Sequence, residues 1–136
     1  MSGVIRGDLL FPELSYDIIG ACFAAFNKLG SGQKELRYQL AVAQELADRS
    51  VRFEREHAVE IKFNGQVVGK HRLDFLVENE VAVEFKVGNR FRLRDFEQLA
   101  SYLATKNKRL GLLVRFGTNG VISRRILNPN DRLHQP

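Results

Sequence analysis

Apolar residues recur along this chain in two periods, one typical of helices and one typical of strands. Recurrence at i, i+3 and i+4 predicts helices over about residues 16–29, 33–49 and 93–106. Runs rich in β-branched and aromatic residues predict strands over about 53–63, 66–77, 81–87, 109–116 and 121–127. Two helices, a three-strand meander, a helix and one or two closing strands together predict an α/β (α+β) fold.

Small and polar residues mark the ends of these elements. Ser15 can cap the first helix, and Gly30 can end it. Asn64-Gly65 predicts a tight hairpin turn, and Glu78-Asn79-Glu80 predicts a three-residue turn. The polar tail from Asn128 to Pro136 is expected to fray. The buried stripe of the first helix is predicted to contain Ile18, Ile19, Cys22, Phe23 and Phe26.

The two strands around the three-residue turn carry charged side chains on one predicted face, formed by Asp74, Glu84 and Lys86. If Val77 pairs with Val81, Asp74 lies directly across from Glu84. Like charges facing each other destabilise a sheet, so the pair predicts a shared proton or, more naturally, a bound divalent cation. The same pattern also fits a solvated hairpin face with an ordinary ion pair. The apolar face is predicted to hold Leu73, Phe75, Val77, Val81, Val83, Phe85 and Val87.

Two motifs together resemble the PD-(D/E)xK nuclease superfamily. The first is Asp74 followed by Glu84-Phe85-Lys86. The second is the run 32–38, in which Gly32, Glu35 and Tyr38 match the Gly-x-x-Glu-x-x-Tyr signature of a family of small proteins grouped with that fold. The resemblance covers about residues 8–128. It implies a restriction-endonuclease-like core of αβββαβ order with an extra N-terminal helix.

A third motif lies in the helix after the Glu-x-Lys strand, where Gln98 and Tyr102 resemble the Gln-x-x-x-Tyr element of RecB-like nucleases. The two side chains stack one turn apart beside the predicted buried stripe. Taken alone, such a pair also fits a structural role at the border of the core. In combination with the other motifs, it favours a place in the nuclease site.

The resemblance implies a site that binds Mg²⁺ or Mn²⁺. Its ligands would be Asp74, Glu84, the backbone carbonyl of Phe85 and Glu35, all of them hard oxygen donors. Lys86 would orient or help to deprotonate the attacking water and stabilise charge in the transition state. Gln98 and Tyr102 would support that water, the lysine or the scissile phosphate.

The formal net charge of +5 and the isoelectric point of about 9.7 favour a polyanionic partner. A generic basic surface has the same composition, but beside the implied metal site nucleic acid is the expected partner. The nuclease hypothesis that the three motifs motivate puts DNA ahead of RNA as the substrate. Phosphate contacts are predicted for two clusters on either side of the last helix. These clusters comprise Arg90, Arg92 and Arg94, with Phe91 between them, and Lys106, Lys108 and Arg109. Arg124, Arg125 and Arg132 add a C-terminal basic segment.

Several classes of site lack a basis in the sequence. Cys22 is the only cysteine, so no disulfide forms within the chain, and a buried structural thiol is expected. His57, His71 and His134 lack the spacing of zinc-enzyme motifs, and His71 is predicted on the strand face opposite Asp74. No phosphate-binding loop, nucleophile elbow or membrane-spanning run is present. We expect one soluble, cytoplasmic domain over residues 1–136.

The leading hypothesis is a metal-dependent nuclease, and two alternatives remain open. A non-catalytic nucleic-acid-binding or assembly module could keep the nuclease fold without the chemistry. A toxin-like or defence-associated nuclease could need a larger complex for activity. The resemblance extends to small resolvases that work as dimers, and the sequence leaves a homodimer open.

Overall fold

The computed structural model describes residues 10–131, apart from the side chains of Glu56 and His57. Arg132 and His134 lie outside the described residues. Three helices and five strands follow one another in the predicted order. Their bounds are α1 Pro12–Leu29, α2 Glu35–Asp48, β1 Phe53–Phe63, β2 Gln66–Val77, β3 Val81–Val87, α3 Leu93–Lys106, β4 Leu110–Phe116 and β5 Val121–Leu127. The α+β character and the αβββαβ order are confirmed.

The first helix begins four residues earlier than predicted. Pro12 occupies its first turn, where the missing N–H of proline costs no hydrogen bond. Ser15 therefore lies inside the helix, and the prediction that it caps the helix was wrong. Its buried Oγ accepts a hydrogen bond of 3.0 Å from Nη1 of Arg125, which ties α1 to β5. Gly30 ends the helix as predicted, in a left-handed conformation with φ 78°.

The five strands form one sheet in the order β1-β2-β3-β4-β5. All neighbours are antiparallel except β3 and β4, which are parallel and are joined by α3. The predicted turns are confirmed: Asn64-Gly65 joins β1 to β2, and residues 78–80 join β2 to β3. Val77 pairs with Val81 as predicted, but the β2–β3 ladder runs for only three pairs and ends at Phe75 and Val83. Beyond that point the two strands part, and we call this place the fork.

Apolar side chains form a core on each side of the sheet. The larger core packs α1 and α2 against one face and includes Phe75, Val83 and Phe85. The smaller core packs α3 against the other face through Leu99 and Leu103. Cys22 is fully buried in the larger core, as predicted, and burial raises the pKa of its thiol. Phe23, predicted in the buried stripe, is instead 45% exposed, because α1 presents the small residues Ala21 and Ala25 to the sheet.

Leu73 corrects the predicted alternation along β2. It belongs to the smaller core with Leu76 and Ala82, although its position predicts a common face with Phe75 and Val77. The change falls where β2 leaves β3. The two-residue alternation counted from Val77 therefore does not hold beyond the fork.

The segment after β5 is ordered through Asp131, contrary to the prediction that the tail frays from Asn128. Asn128 is 3% exposed and its Nδ2 donates to the carbonyl oxygens of Leu103 and Lys108, at 2.9 and 2.8 Å. Asp131 accepts a 2.6 Å hydrogen bond from Nε of Arg109. These bonds fasten residues 128–131 to the last turn of α3 and to the loop between α3 and β4.

Candidate active site

Two carboxylates hold the fork together, because each accepts a hydrogen bond from a backbone amide of the opposite strand. Oδ2 of Asp74 accepts a 2.8 Å hydrogen bond from the backbone N–H of Phe85. Oε1 of Glu84 accepts a 3.1 Å bond from the backbone N–H of Asp74. Each acid therefore satisfies a backbone donor near the point where the β2–β3 ladder stops. The second oxygen of each carboxylate takes no part in these bonds.

The acid pair lies in an environment that disfavours negative charge. Glu84 is 4% exposed. Burial, followed by the charge of Glu84, raises the pKa of Asp74 to about 7, while the hydrogen bond from Phe85 opposes that rise. The pair therefore has a strong tendency to take up positive charge, either a proton or a cation.

Lys86 follows Glu84 by two residues and lies beside the acids. Its Nζ is 3.6 Å from Oδ1 of Asp95, in the first turn of α3. Asp95 is buried, and its Oδ2 also accepts a 2.9 Å bond from the backbone N–H of Arg92. Asp95 thus caps α3 and holds the ammonium group of Lys86 at once. Asp95 was not predicted as a residue of the site.

Glu35 reaches the site from the first turn of α2. Its pKa is raised by burial and by the charges of Glu84 and Asp95, while the ammonium of Lys86 opposes the rise. Nε2 of Gln39 donates a 3.1 Å hydrogen bond to Oε2 of Glu35. The structure therefore brings Glu35, predicted from a separate motif, into the electrostatic neighbourhood of the acid pair.

The other two residues of that motif shape the loop that delivers Glu35. Gly32 has φ 80°, a conformation that strongly favours glycine. Tyr38 is buried and stacks on Phe116, with ring centroids 4.2 Å apart. Its hydroxyl donates to the carbonyl oxygen of Gly30 at 2.6 Å and accepts from the backbone N–H of Gln33 at 3.3 Å. Tyr38 thereby fixes the conformation of the loop that precedes α2.

His71 lies in the site, and its predicted position on the opposite face was wrong. Its Nε2 is 3.3 Å from Oε1 of Glu84, without the alignment of a hydrogen bond. His71 shares this departure from regular alternation with Leu73, two residues further along β2. Spacing from Asp74 alone could not reveal this, because the alternation rule assumes a regular strand.

Gln98 and Tyr102 lie along α3 and line a cavity of about 210 Å³. Tyr102 is 2% exposed, and burial raises the pKa of its hydroxyl to about 12, so the group keeps its proton at neutral pH. His71 lines the same cavity. Gln98, Tyr102 and His71 therefore line one cavity, and His71 also lies beside Glu84.

The predicted basic residues separate into two groups. Arg90, Arg92 and Arg94 follow the Lys86 end of β3 and are exposed. Lys108 and Arg109 precede β4, whose first residue pairs with Val81 at the other end of β3. Within that second group, Nζ of Lys108 bonds the carbonyl oxygen of Asn79 at 2.9 Å, and Arg109 bonds Asp131. Lys106 is exposed at the end of α3.

Two further arginines extend the basic surface at the Lys86 end of the sheet. The guanidinium carbon of Arg115 lies 5.1 Å from the ring centroid of Phe91, and that of Arg124 lies 5.7 Å from it. Such distances are typical of cation–π contacts. Arg115 pairs with Lys86 across β3 and β4. Arg115 was not predicted, because it follows α3 in the sequence whereas the residues near it in space, in β3 and the loop after β3, precede α3.

The charges around the fork suit a divalent ion bound by few protein ligands. Four carboxylates, Glu35, Asp74, Glu84 and Asp95, share this neighbourhood with the ammonium of Lys86. Within residues 10–131, no three His, Cys, Asp or Glu side chains form a ready metal cage. Mg²⁺ is commonly bound through one or two carboxylates, with waters and substrate phosphate completing its shell. The pair of acids at the fork fits that mode.

The match of the sequence to a known protein family agrees with a site that suits a divalent ion. A family profile described as the PD-(D/E)XK nuclease superfamily matches residues 12–126. The chain belongs to this superfamily. Nucleases of the PD-(D/E)XK superfamily generally use divalent metal ions and act on nucleic acid.

Other comparisons are more distant. A solved structure described as "Crystal structure of SSO0001" is similar to 88% of this chain and 79% of its own, with 17% sequence identity and a TM-score of 0.49. A search of curated proteins finds no significant match. Among the described helices, none has the length and apolar character needed to cross a membrane.

Proposed function

We propose that the protein hydrolyses phosphodiester bonds of nucleic acid, with DNA as the preferred substrate, using Mg²⁺ or Mn²⁺. The observation that best supports this proposal is the pair Asp74 and Glu84 at the fork, where Glu84 is buried and Asp74 is partly buried. One oxygen of each carboxylate lies outside the hydrogen bonds to the backbone. Membership of the superfamily supports the reaction class. The run 32–38 further supports a place in the Gly-x-x-Glu-x-x-Tyr family, because Glu35 shares the electrostatic surroundings of the acid pair.

Asp74 and Glu84 would hold the ion directly, with the backbone carbonyl of Phe85 as a further oxygen ligand and Glu35 in the ion's electrostatic surroundings. The ion would supply charge stabilisation at the phosphate and a more acidic water. Lys86 would orient the attacking water and stabilise the charge that develops on the phosphate oxygens. Its contact with Asp95 supports this role, because an anchored ammonium needs little reorganisation during the reaction.

A cleavage assay with matched variants tests the proposal. Labelled single-stranded, duplex and branched DNA, and RNA, are incubated with Mg²⁺ or Mn²⁺. Glu84→Gln keeps an accepting oxygen for the Asp74 amide, and Lys86→Met keeps the length of the side chain. Each variant is expected to lose roughly a hundredfold in cleavage rate. Lys62→Met, an exposed lysine on β1, serves as the control and should cleave at the wild-type rate.

The assay separates true activity from contamination. Cleavage that is equal in wild type, Glu84→Gln and Lys86→Met would refute hydrolysis by this site. Without any cleavage, a melting temperature that rises with Mn²⁺ in wild type, but not in Asp74→Asn, would still support the ion site. A protein stabilised by DNA but unaffected by either metal would instead be a non-catalytic binding module.

A further inference from the structure

The cavity beside the acid pair is built differently from the basic surface around Phe91. It lies between the β1–β2 hairpin and α3, and its walls are largely apolar, with Val59 and Ile61 on β1 and Tyr102 on α3. Gln98 contributes an amide that can both donate and accept hydrogen bonds. An apolar pocket with a few polar groups is the usual form of a site for a small organic ligand.

The charges of the cavity exclude a phosphate as its ligand. Glu60 and Glu97 line it, and no lysine or arginine does so among the described residues. Two carboxylates repel an anion, whereas they can accept hydrogen bonds from the amino groups of a neutral heterocycle. The cavity and the arginines near Phe91 therefore suit different parts of a nucleic acid, the cavity a neutral base and the arginines its phosphates.

The size of the cavity limits the ligand to one or two rings. Its volume is about 210 Å³. Pockets that enclose a drug-sized molecule begin at about 300 Å³. A single nucleobase is a flat heterocycle that would contact Tyr102 and the aliphatic walls, as bases do in the pockets of enzymes that extrude them.

Position connects the cavity to the proposed chemistry. His71 lines the cavity, and its Nε2 lies 3.3 Å from Oε1 of Glu84. A base in the cavity would thus adjoin the imidazole that lies next to Glu84. We propose that the cavity binds one unpaired base next to the scissile phosphodiester, so that single-stranded nucleic acid or a strand end is the preferred substrate.

This inference rests on the proposed function and specifies its substrate class. A base in a duplex is paired and stacked, and moving it into a pocket costs a few kcal/mol. An unpaired strand avoids that cost. Preference for single strands therefore follows from occupation of the cavity.

Filling the cavity tests the inference by binding alone. Ser101 is exposed on α3 at the cavity, and Ser101→Phe would occupy it without altering the acids, Lys86, Gln98 or Tyr102. Thr105→Phe is a second filling variant from the same helix. Gln44→Phe, at an exposed position of α2, is the matched control. Affinity for short labelled strands is measured by fluorescence anisotropy in EDTA, so cleavage plays no part.

The expected result is a coupling between the protein and one base. In wild type, an abasic residue scanned along the strand should lower affinity about tenfold at one position, the size expected for one stacked base. Ser101→Phe and Thr105→Phe should each bind the intact strand about tenfold more weakly than wild type does. Placing the abasic residue at the sensitive position should not lower the affinity of these variants any further. Gln44→Phe should behave as wild type.

Several results would overturn the inference. They are absence of an abasic-sensitive position, equal affinity of wild type for duplex and single strand, absence of nucleic-acid binding, and folded filling variants that bind as tightly as Gln44→Phe. Urea unfolding of each variant establishes which of them are folded. Base coupling without metal-dependent cleavage would keep the pocket and reject the nuclease, whereas cleavage without base coupling would do the reverse.

Discussion

Asp95 combines two tasks at one buried carboxylate, a helix cap and the anchor of Lys86. The two tasks can be separated, because asparagine keeps an accepting oxygen but removes the charge. Asp95→Ala should lower the free energy of unfolding by about 1 kcal/mol, and Asp95→Asn by clearly less. Both should lower kcat about tenfold without raising KM, because Lys86 loses its anchor. Urea titration and steady-state kinetics measure these effects.

An Asp95→Asn variant with the wild-type kcat would limit the residue to capping. The matched control is Asp17→Asn, which makes the same chemical change at an exposed position of α1. That control should leave both stability and kcat near their wild-type values, since exposed substitutions usually change stability little.

Asp74 predicts an unusual dependence of stability on pH in metal-free protein. Its folded pKa, about 7, lies above the ordinary 3.8, so the folded protein binds the proton more tightly than the unfolded chain does. The free energy of unfolding should therefore fall as pH rises from about 4 to about 7. Relative to Asp74→Asn, wild type should lose roughly 1–3 kcal/mol over this range.

Urea unfolding in EDTA at a series of pH values measures this difference. Glu35, whose raised pKa acts in the same direction, is present in both proteins, so the difference reports the carboxyl of Asp74 together with its interaction with Glu84 and Glu35. Mn²⁺ at neutral pH should restore stability in wild type and not in Asp74→Asn. Parallel pH profiles for the two proteins would contradict the expectation.

Individual site residues were predictable where a motif named them. Asp74, Glu84 and Lys86 follow from strand alternation and the three-residue turn, and the structure brings them to the fork. His71 and Asp95 were missed for physical reasons. The position of His71 depends on a break in the alternation of β2 beyond the fork, and Asp95 looks like an ordinary acid in the first turn of a helix.

At the scale of elements, α3 packs closely against β4 at Gly111. A Cβ atom at Gly111 would lie 2.8 Å from Cγ of Leu99, which is fully buried and has no room to move away. Gly111→Ala should therefore lower the free energy of unfolding by about 1–3 kcal/mol. Gly20, inside α1, has open space around its Cα, so Gly20→Ala should instead raise stability by about 0.5–1 kcal/mol. Urea titrations that give equal effects would refute this packing.

The loop between α1 and α2 depends on one hydroxyl. Tyr38→Phe keeps the stacking on Phe116 but removes the bonds to Gly30 and Gln33, leaving a buried carbonyl with one partner fewer. A loss of about 1–2 kcal/mol in the free energy of unfolding is expected. Tyr16→Phe, at a side chain that is 80% exposed, should change nothing measurable.

Element bounds were predicted closely because turn residues mark them. Asn64 and Gly65 both have positive φ, as a two-residue hairpin requires, and β1 and β2 end at these residues as expected. The start of α1 was misplaced because Ser15 was taken as a cap although Pro12 already suits a first turn. The order after Asn128 was not predictable, since it depends on carbonyls of a loop that only the fold brings near.

Across the whole molecule, the net charge of +5 is less informative than its distribution. Arg124 is exposed beside Phe91 at the Lys86 end of the sheet, whereas Lys108 is bonded to Asn79 at the other end. If nucleic acid lies across the first end, Arg124→Ala should reduce the slope of log K against log salt by about 0.7 for a single strand. Lys108→Ala should leave that slope unchanged. Anisotropy titrations at several salt concentrations decide the point, and equal slopes for both variants would contradict it.

The hydrogen bonds at the fork determine which substitutions can test the charge of the acids separately from their structural part. Asp74 and Glu84 each fasten a backbone amide of the neighbouring strand, so they are part of the joint between β2 and β3 as well as proposed ligands. Truncating either acid to alanine would unfasten that joint, and the resulting loss of activity would mix damaged architecture with missing chemistry. In this protein the amide isosteres, rather than alanine, isolate the part played by charge.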